Sequence, residues 1–255
     1  MVARLVGFLV ISLGSICVVG TLNFLRIDCI PMCSWYFGTI ARILGFRTVV
    51  RGQPSAIHPT LIVANHVSYF DIFVLGGLIK GAFIAKEEVS AWPLVGFMSR
   101  IGKTVYVDRR RSATGAARTE IQERLDSGGT LIMFPESTSH DGNRVRPFKS
   151  ALFTVAEKPT AGGRPVMVQP VSIAYTRLNG VPMGIGWRSF FAWYGDMDLM
   201  PHLWYALKLG KVTAEVTFHT PVTISDFPDR KSLAAYCTRV SSDGMARLLS
   251  GREAA

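Results

Sequence analysis

The chain has 255 residues, long enough for one large α/β domain or two small ones. Hydrophobic residues make up 49% of it and the mean hydropathy is +0.27, high for a soluble protein, while a net charge of +10 suits an anionic partner. Its four cysteines do not suggest a disulfide framework or a zinc site. Cys17 and Cys237 stand alone, and Cys29 and Cys33 form a C-x3-C pair with no second pair downstream.

The apolar excess lies in "LVGFLVISLGSICVVGTLNFL", residues 5–25, bounded by Arg4 and Arg26 and free of charge. As a helix this run would be ~31 Å long, enough to cross a hydrocarbon core. A cleaved signal peptide would need a small-x-small site after the run, which it lacks. A buried core helix rarely needs so long an uncharged stretch. The expectation is therefore a membrane anchor over residues 1–26. Arg26, Arg42, Arg47 and Arg51 follow the run, against Arg4 and the amino terminus before it. That bias predicts a single crossing of the inner membrane with the C-terminal domain in the cytoplasm. An anionic leaflet then explains the basic charge more naturally than nucleic acid does.

Residues 27–52 read as a membrane-proximal segment. Within it, "SWYFGTIARILGFR" (34–47) fits an interfacial amphipathic helix and an ordinary core helix equally well. From residue 53 to 255 the pattern alternates. "TLIVAN" reads as a buried strand, "DIFVLGGLI" as a helix, "AFIAK" as a strand, "WPLVGFMSRI" as a helix and "TVYVDR" as a strand. "SATGAARTEIQERLDSGG" has a helical polar face and a glycine stop, "TLIMFPE" is a strand and "KSALFTVAEK" a short helix. "RPVMVQPVSIAY" and "TAEVTFHTPV" are strands, and residues 228–249 a last helix. The alternation predicts an α/β domain whose mostly parallel or mixed sheet is covered by helices, preceded by the N-terminal transmembrane helix.

Two stretches carry candidate chemistry. "LIVANHVSYFDIFVLGG" (61–77) sets His66 just past a strand and Asp71 at the start of a helix, an H-x4-D spacing in apolar surroundings. In open α/β sheets ligands bind beyond the carboxyl ends of the strands. A loop there lets Asp71 turn back to one imidazole nitrogen and leaves the other to accept a proton. The competing reading is a satisfied buried histidine beside a helix-terminal acid. "LIMFPESTSHDG" repeats the arrangement and puts Glu136, Ser137 and Thr138 at the end of another strand, where an acid suits a hydroxyl-bearing substrate; the plainer alternative is a turn acid. No G-x-S-x-G elbow occurs, which argues against a serine hydrolase. "GFMSRIGKT" is a residue too long for a phosphate loop and precedes a strand instead of following one. No His/Cys/Glu cluster has metal-ligand spacing.

These residues resemble the lysolipid acyltransferases of glycerolipid synthesis. "NHVSYFD" looks like that family's NHx4D block and "FPEST" like its FPEGT block. "KEEVSAWPLVGFMSRIGKTVYVDRR" (86–110) and "VMVQPVSI" (166–173) are similar to the other two. The resemblance implies an acyl thioester donor, on acyl carrier protein or coenzyme A, a lysolipid alcohol acceptor, and no cofactor. It makes His66 the general base and Asp71 its orienting partner. Glu136, with Ser137 and Thr138, would position the acceptor; Lys86 and Arg109 would contact anionic parts of a substrate. The usual FPEGTR reads FPESTS here, so the family arginine is Ser139, with Arg144 and Arg146 in the next loop to restore charge. This form looks more like the bacterial branch that acylates lyso-ornithine lipid than like the enzymes that use 1-acylglycerol-3-phosphate. The remaining alternative is a basic, anchored binding protein without catalysis.

Overall fold

The alternation of strands and helices resolves into one mixed sheet. The computed structural model describes residues 2–91, 96, 99, 102–107 and 115–251. In chain order its elements are α1 (Val2–Phe24), α2 (Ile30–Leu44), β1 (Phe46–Arg51), β2 (Thr60–Ala64), α3 (Phe70–Leu78), β3 (Ala82–Lys86), β4 (Val105–Val107), α4 (Gly115–Asp126), β5 (Thr130–Met133), β6 (Met167–Leu178), β7 (Val181–Pro182), α5 (Ile185–Arg188), α6 (Leu199–Leu209), β8 (Val212–Phe218) and α7 (Arg230–Ser250). The strands lie in the order β1-β8-β6-β2-β5-β3-β4, with β7 beside β6. All pairs are parallel except β6 with β8 and β6 with β7.

Burial explains why the central strands read as unbroken apolar runs. Every residue of β2 is buried, because helices cover both faces of a parallel sheet. Nearer the edge, β8 alternates buried and half-buried positions. One core layer joins α2, α3 and α6 to the sheet through Ile40, Phe46, Phe70 and Tyr175; the other joins α4 and α7 to it through Leu125, Leu131 and Leu233. At Gly38 and Gly77 the helices α2 and α3 approach so closely that a Cβ on Gly77 would lie 2.5 Å from the Gly38 Cα. Only glycine fits there.

The structure revises or completes the reading at three places. Phe46–Arg51, read as part of the membrane-proximal segment, pairs with β8 along its whole length and belongs to the sheet. The "KSALFTVAEK" segment, read as a short helix, is one, wound as a 3-10 helix over Ser150–Ala156. Residues 181–209, left without elements, hold β7, α5 and α6. The helix expected at "WPLVGFMSRI" falls largely outside the described residues.

The N-terminal helix α1 is long and apolar enough to cross a membrane. It lies along the domain and is tied to it at both ends. The Arg4 guanidinium donates to the carbonyls of Leu44 at 3.4 Å, Leu207 at 3.3 Å and Gly210 at 3.0 Å. Just past the other end, Asp28 stands 3.7 Å from Lys103. Between them the Ser12 and Tyr36 hydroxyls are 3.0 Å apart. The outward face exposes Val2, Val6, Leu9, Val10 and Leu13.

Candidate active site

The parallel neighbours β2, β5 and β3 end at the same edge of the sheet, where open α/β sheets form their ligand crevice. Asn65, the first residue beyond β2, fixes the loop that follows. Its amide donates to the Ile173 carbonyl at 2.9 Å and accepts from the Ile173 N–H at 2.8 Å, so the loop is pinned to β6 before His66 begins.

Asp71 enters α3 in its first turn and its carboxylate folds back over residues 66–68. Oδ2 accepts from His66 Nδ1 at 2.8 Å, from the Val67 N–H at 2.7 Å and from the Ser68 N–H at 2.9 Å. Oδ1 accepts from the Tyr175 hydroxyl at 2.5 Å. The aspartate is fully buried, whereas the His66 side chain keeps 19% of its surface exposed. Burial, and after it the neighbouring Asp71, pushes the Tyr175 phenol well above its ordinary pKa, so it stays a donor. With Nδ1 committed to Asp71, the other imidazole nitrogen, Nε2, has no hydrogen-bond partner among the described residues. The Phe134 ring stacks on the imidazole at 4.0 Å between centroids and 15° between planes. An imidazole so oriented, with one nitrogen tied to a carboxylate and the other open, is arranged to take a proton.

Glu136 ties the loop after β2 to the one after β5. One carboxylate oxygen accepts from the His66 N–H at 2.8 Å and the other from the Arg146 N–H at 2.9 Å. Only 4% of the residue is exposed. Burial lifts its pKa from 4.5 to about 7, against the pull of the two backbone donors. The His140 N–H closes the loop onto the His66 carbonyl at 3.2 Å. Ser137 takes a left-handed conformation, φ +61°, where the similar motif carries glycine.

The sequence-predicted residues therefore converge unequally. His66, Asp71 and Glu136 are brought together, with Ser137 and Thr138 half-buried in the adjoining turn. Lys86 is the last residue of β3, on the same side of the sheet and half-buried. Arg144 and Arg146 have exposed side chains on the loop that Glu136 holds by its backbone. Arg109 lies outside the described residues. Ser139 is buried and its hydroxyl donates to the Trp193 carbonyl, so it fastens residues 183–209 to the crevice. Sequence reasoning missed Asn65, Phe134 and Tyr175. The first two stand inside the quoted motifs and were readable as their structural parts; Tyr175 gave no local signal. Among the described residues no group of His, Cys, Asp and Glu could hold a metal ion.

Residues 34–174 match the family model described as Acyltransferase. A lyso-ornithine lipid O-acyltransferase of Brucella abortus is 43% identical over 79% of this chain and 76% of its own. A 1-acyl-sn-glycerol-3-phosphate acyltransferase of Neisseria gonorrhoeae is 33% identical over 71% of this chain and 68% of its own. The crystal structure of the 1-acyl-sn-glycerophosphate acyltransferase PlsC from Thermotoga maritima superposes with a TM-score of 0.57 at 23% identity, covering 99% of this chain and all of that one. It shares the fold.

Proposed function

The chain belongs to the acyltransferase family, and we propose that it moves a fatty acyl group from a thioester to the free hydroxyl of a lysolipid. The observation that carries this reading is the open Nε2 of His66, set by Asp71 at the mouth of the crevice. The acceptor hydroxyl gives its proton to Nε2 as its oxygen attacks the thioester carbonyl. The carbon–sulfur bond then breaks, and the thiolate leaves with the proton returned by the imidazolium. Asp71 stabilises that cation. The thiolate is a good leaving group, so the chain needs no nucleophile of its own. General-base catalysis of this kind is worth ~10²–10⁴-fold, and positioning adds more.

In this account Glu136 shapes the site through the two amides it holds, and the exposed Arg144 and Arg146, with Lys86 and Arg109, attract anionic parts of donor and acceptor. The donor is a thioester of acyl carrier protein or coenzyme A. The favoured acceptor is lyso-ornithine lipid. Two things support it: four relatives at 33–43% identity that carry the name lyso-ornithine lipid O-acyltransferase, and the engagement of Ser139, where the similar motif has a phosphate-binding arginine, with Trp193. We place the protein at the cytoplasmic face of a bacterial inner membrane, held by α1. The contacts of Arg4 and Asp28 at its two ends favour a helix bedded along one leaflet over the single crossing that composition alone suggests.

A competition assay tests the acceptor. Purified full-length protein, given one acyl thioester and equal amounts of lyso-ornithine lipid and 1-acylglycerol-3-phosphate, is expected to acylate the first with the higher kcat/KM. A strong preference for the phosphorylated acceptor overturns the choice of acceptor.

A further inference from the structure

We propose that residues 181–209, which are hydrogen-bonded to the loops after β2 and β5, form a second membrane-contact surface that beds into the leaflet holding the lysolipid. On α6 the outward stripe is Met200, Pro201, Trp204, Tyr205 and Lys208, spaced as one face of a helix; Ala206 and Leu207 point inward. Met200 is 70% exposed, Tyr205 64% and Trp204 43%. The preceding turn adds Ile185, Trp187 and Phe190, each more than half exposed. A helix that packs on a soluble domain normally turns charge to water. Here the outward face is apolar and aromatic, and a large exposed apolar patch marks an interaction site.

Its chemistry selects a lipid surface as the partner. Tryptophan and tyrosine favour the level of the headgroups, where one end of the ring is dry and the other wet. The Lys208 ammonium stands 5.0 Å over the Trp204 ring and 6.0 Å from the centre of the Tyr205 ring, placing a cation beside the apolar stripe, where it meets an anionic headgroup. The patch also adjoins the apolar helix α1, because Arg4 near the start of α1 bonds to the carbonyls of Leu207 and Gly210 at the end of α6.

The same segment holds the catalytic loop. The Trp193 N–H donates to the Val67 carbonyl at 3.1 Å, Ser139 donates to the Trp193 carbonyl, and the Tyr69 hydroxyl lies 2.9 Å from His202 Nδ1. Bedding its outer face in the leaflet therefore sets the crevice at the headgroup level, where a lysolipid reaches His66 without leaving the bilayer. That last step rests on the acyl-transfer reading; the surface itself does not.

Two measurements on the full-length protein test the proposal. In vesicles of anionic phospholipid with brominated acyl chains, Trp204 emission is expected to be quenched, so that Trp204→Phe removes a quenched component. The triple variant Phe190→Ser/Met200→Ser/Tyr205→Ser is expected to acylate a vesicle-embedded lysolipid at least ~10-fold more slowly, yet match the wild type when the lysolipid is dissolved in detergent micelles. Unquenched Trp204, or a triple variant as active as the wild type on vesicles, overturns the surface. If the wild type sediments as a dimer with Trp204 unquenched, a second copy covers this face and the proposal falls. Should the triple variant be inactive in both media, the quenching of Trp204 decides. A wild type that transfers no acyl group in either medium removes the enzymatic reading and leaves quenching to judge the surface.

Discussion

Tyr175 reaches Asp71 from β6, 104 residues along the chain, and closes the hydrogen-bond shell of the aspartate at 2.5 Å. Without it Oδ1 faces the core unpaired, while Oδ2 keeps His66 and two amides. Tyr175→Phe is therefore expected to lower kcat by about tenfold, on the scale of one buried hydrogen bond to a charged group, with little change in KM. Asp71→Asn, which replaces an acceptor oxygen and the charge that stabilises the imidazolium, is expected to cost more. Steady-state kinetics on the folded variants check the order; a Tyr175→Phe enzyme with wild-type kcat removes Tyr175 from the account.

Glu136 gives the stability a pH signature. Its folded pKa, about 7, stands above its ordinary 4.5, so between those values the folded chain holds a proton the unfolded chain has lost. The contribution is fully present below pH 4.5 and is lost as pH rises through 7, an effect of roughly 3 kcal/mol. Glu136→Gln abolishes the titration. Urea midpoints of the wild type are expected to fall between pH 5 and pH 8 relative to those of Glu136→Gln; parallel curves for the two proteins contradict the buried, protonated carboxyl.

The contact of Gly77 with Gly38 sets the spacing of α2 and α3. Gly77→Ala adds a methyl against backbone atoms that cannot swing aside, so the helices must part. A loss of about 1–3 kcal/mol is expected, read from denaturant unfolding. An alanine variant as stable as the wild type shows that α2 moves freely on α3.

What the sequence made legible was local. His66 and Asp71 stand five residues apart, and their joint role follows from the strand-loop-helix pattern around them. Glu136 was traceable because an apolar strand runs straight into it, although its two backbone partners were not. Tyr175 was invisible: its partner lies across the sheet, and a tyrosine inside a strand looks like core. β1 was hidden because "FRTVVR" carries two arginines and continues the amphipathic pattern of α2. At α6 the apolar stripe faces outward, so the pattern that normally marks a core face marks the surface instead.

Acyl transfer through His66 is tested most directly by following ester and thiol together. Purified full-length protein receives an acyl thioester and lyso-ornithine lipid, and the wild type is compared with a folded His66→Ala variant. The account predicts one new lipid ester for each thiol released, with turnover at least ~10²-fold slower in His66→Ala. Thiol released without ester, or a His66→Ala protein that turns over like the wild type, would contradict it.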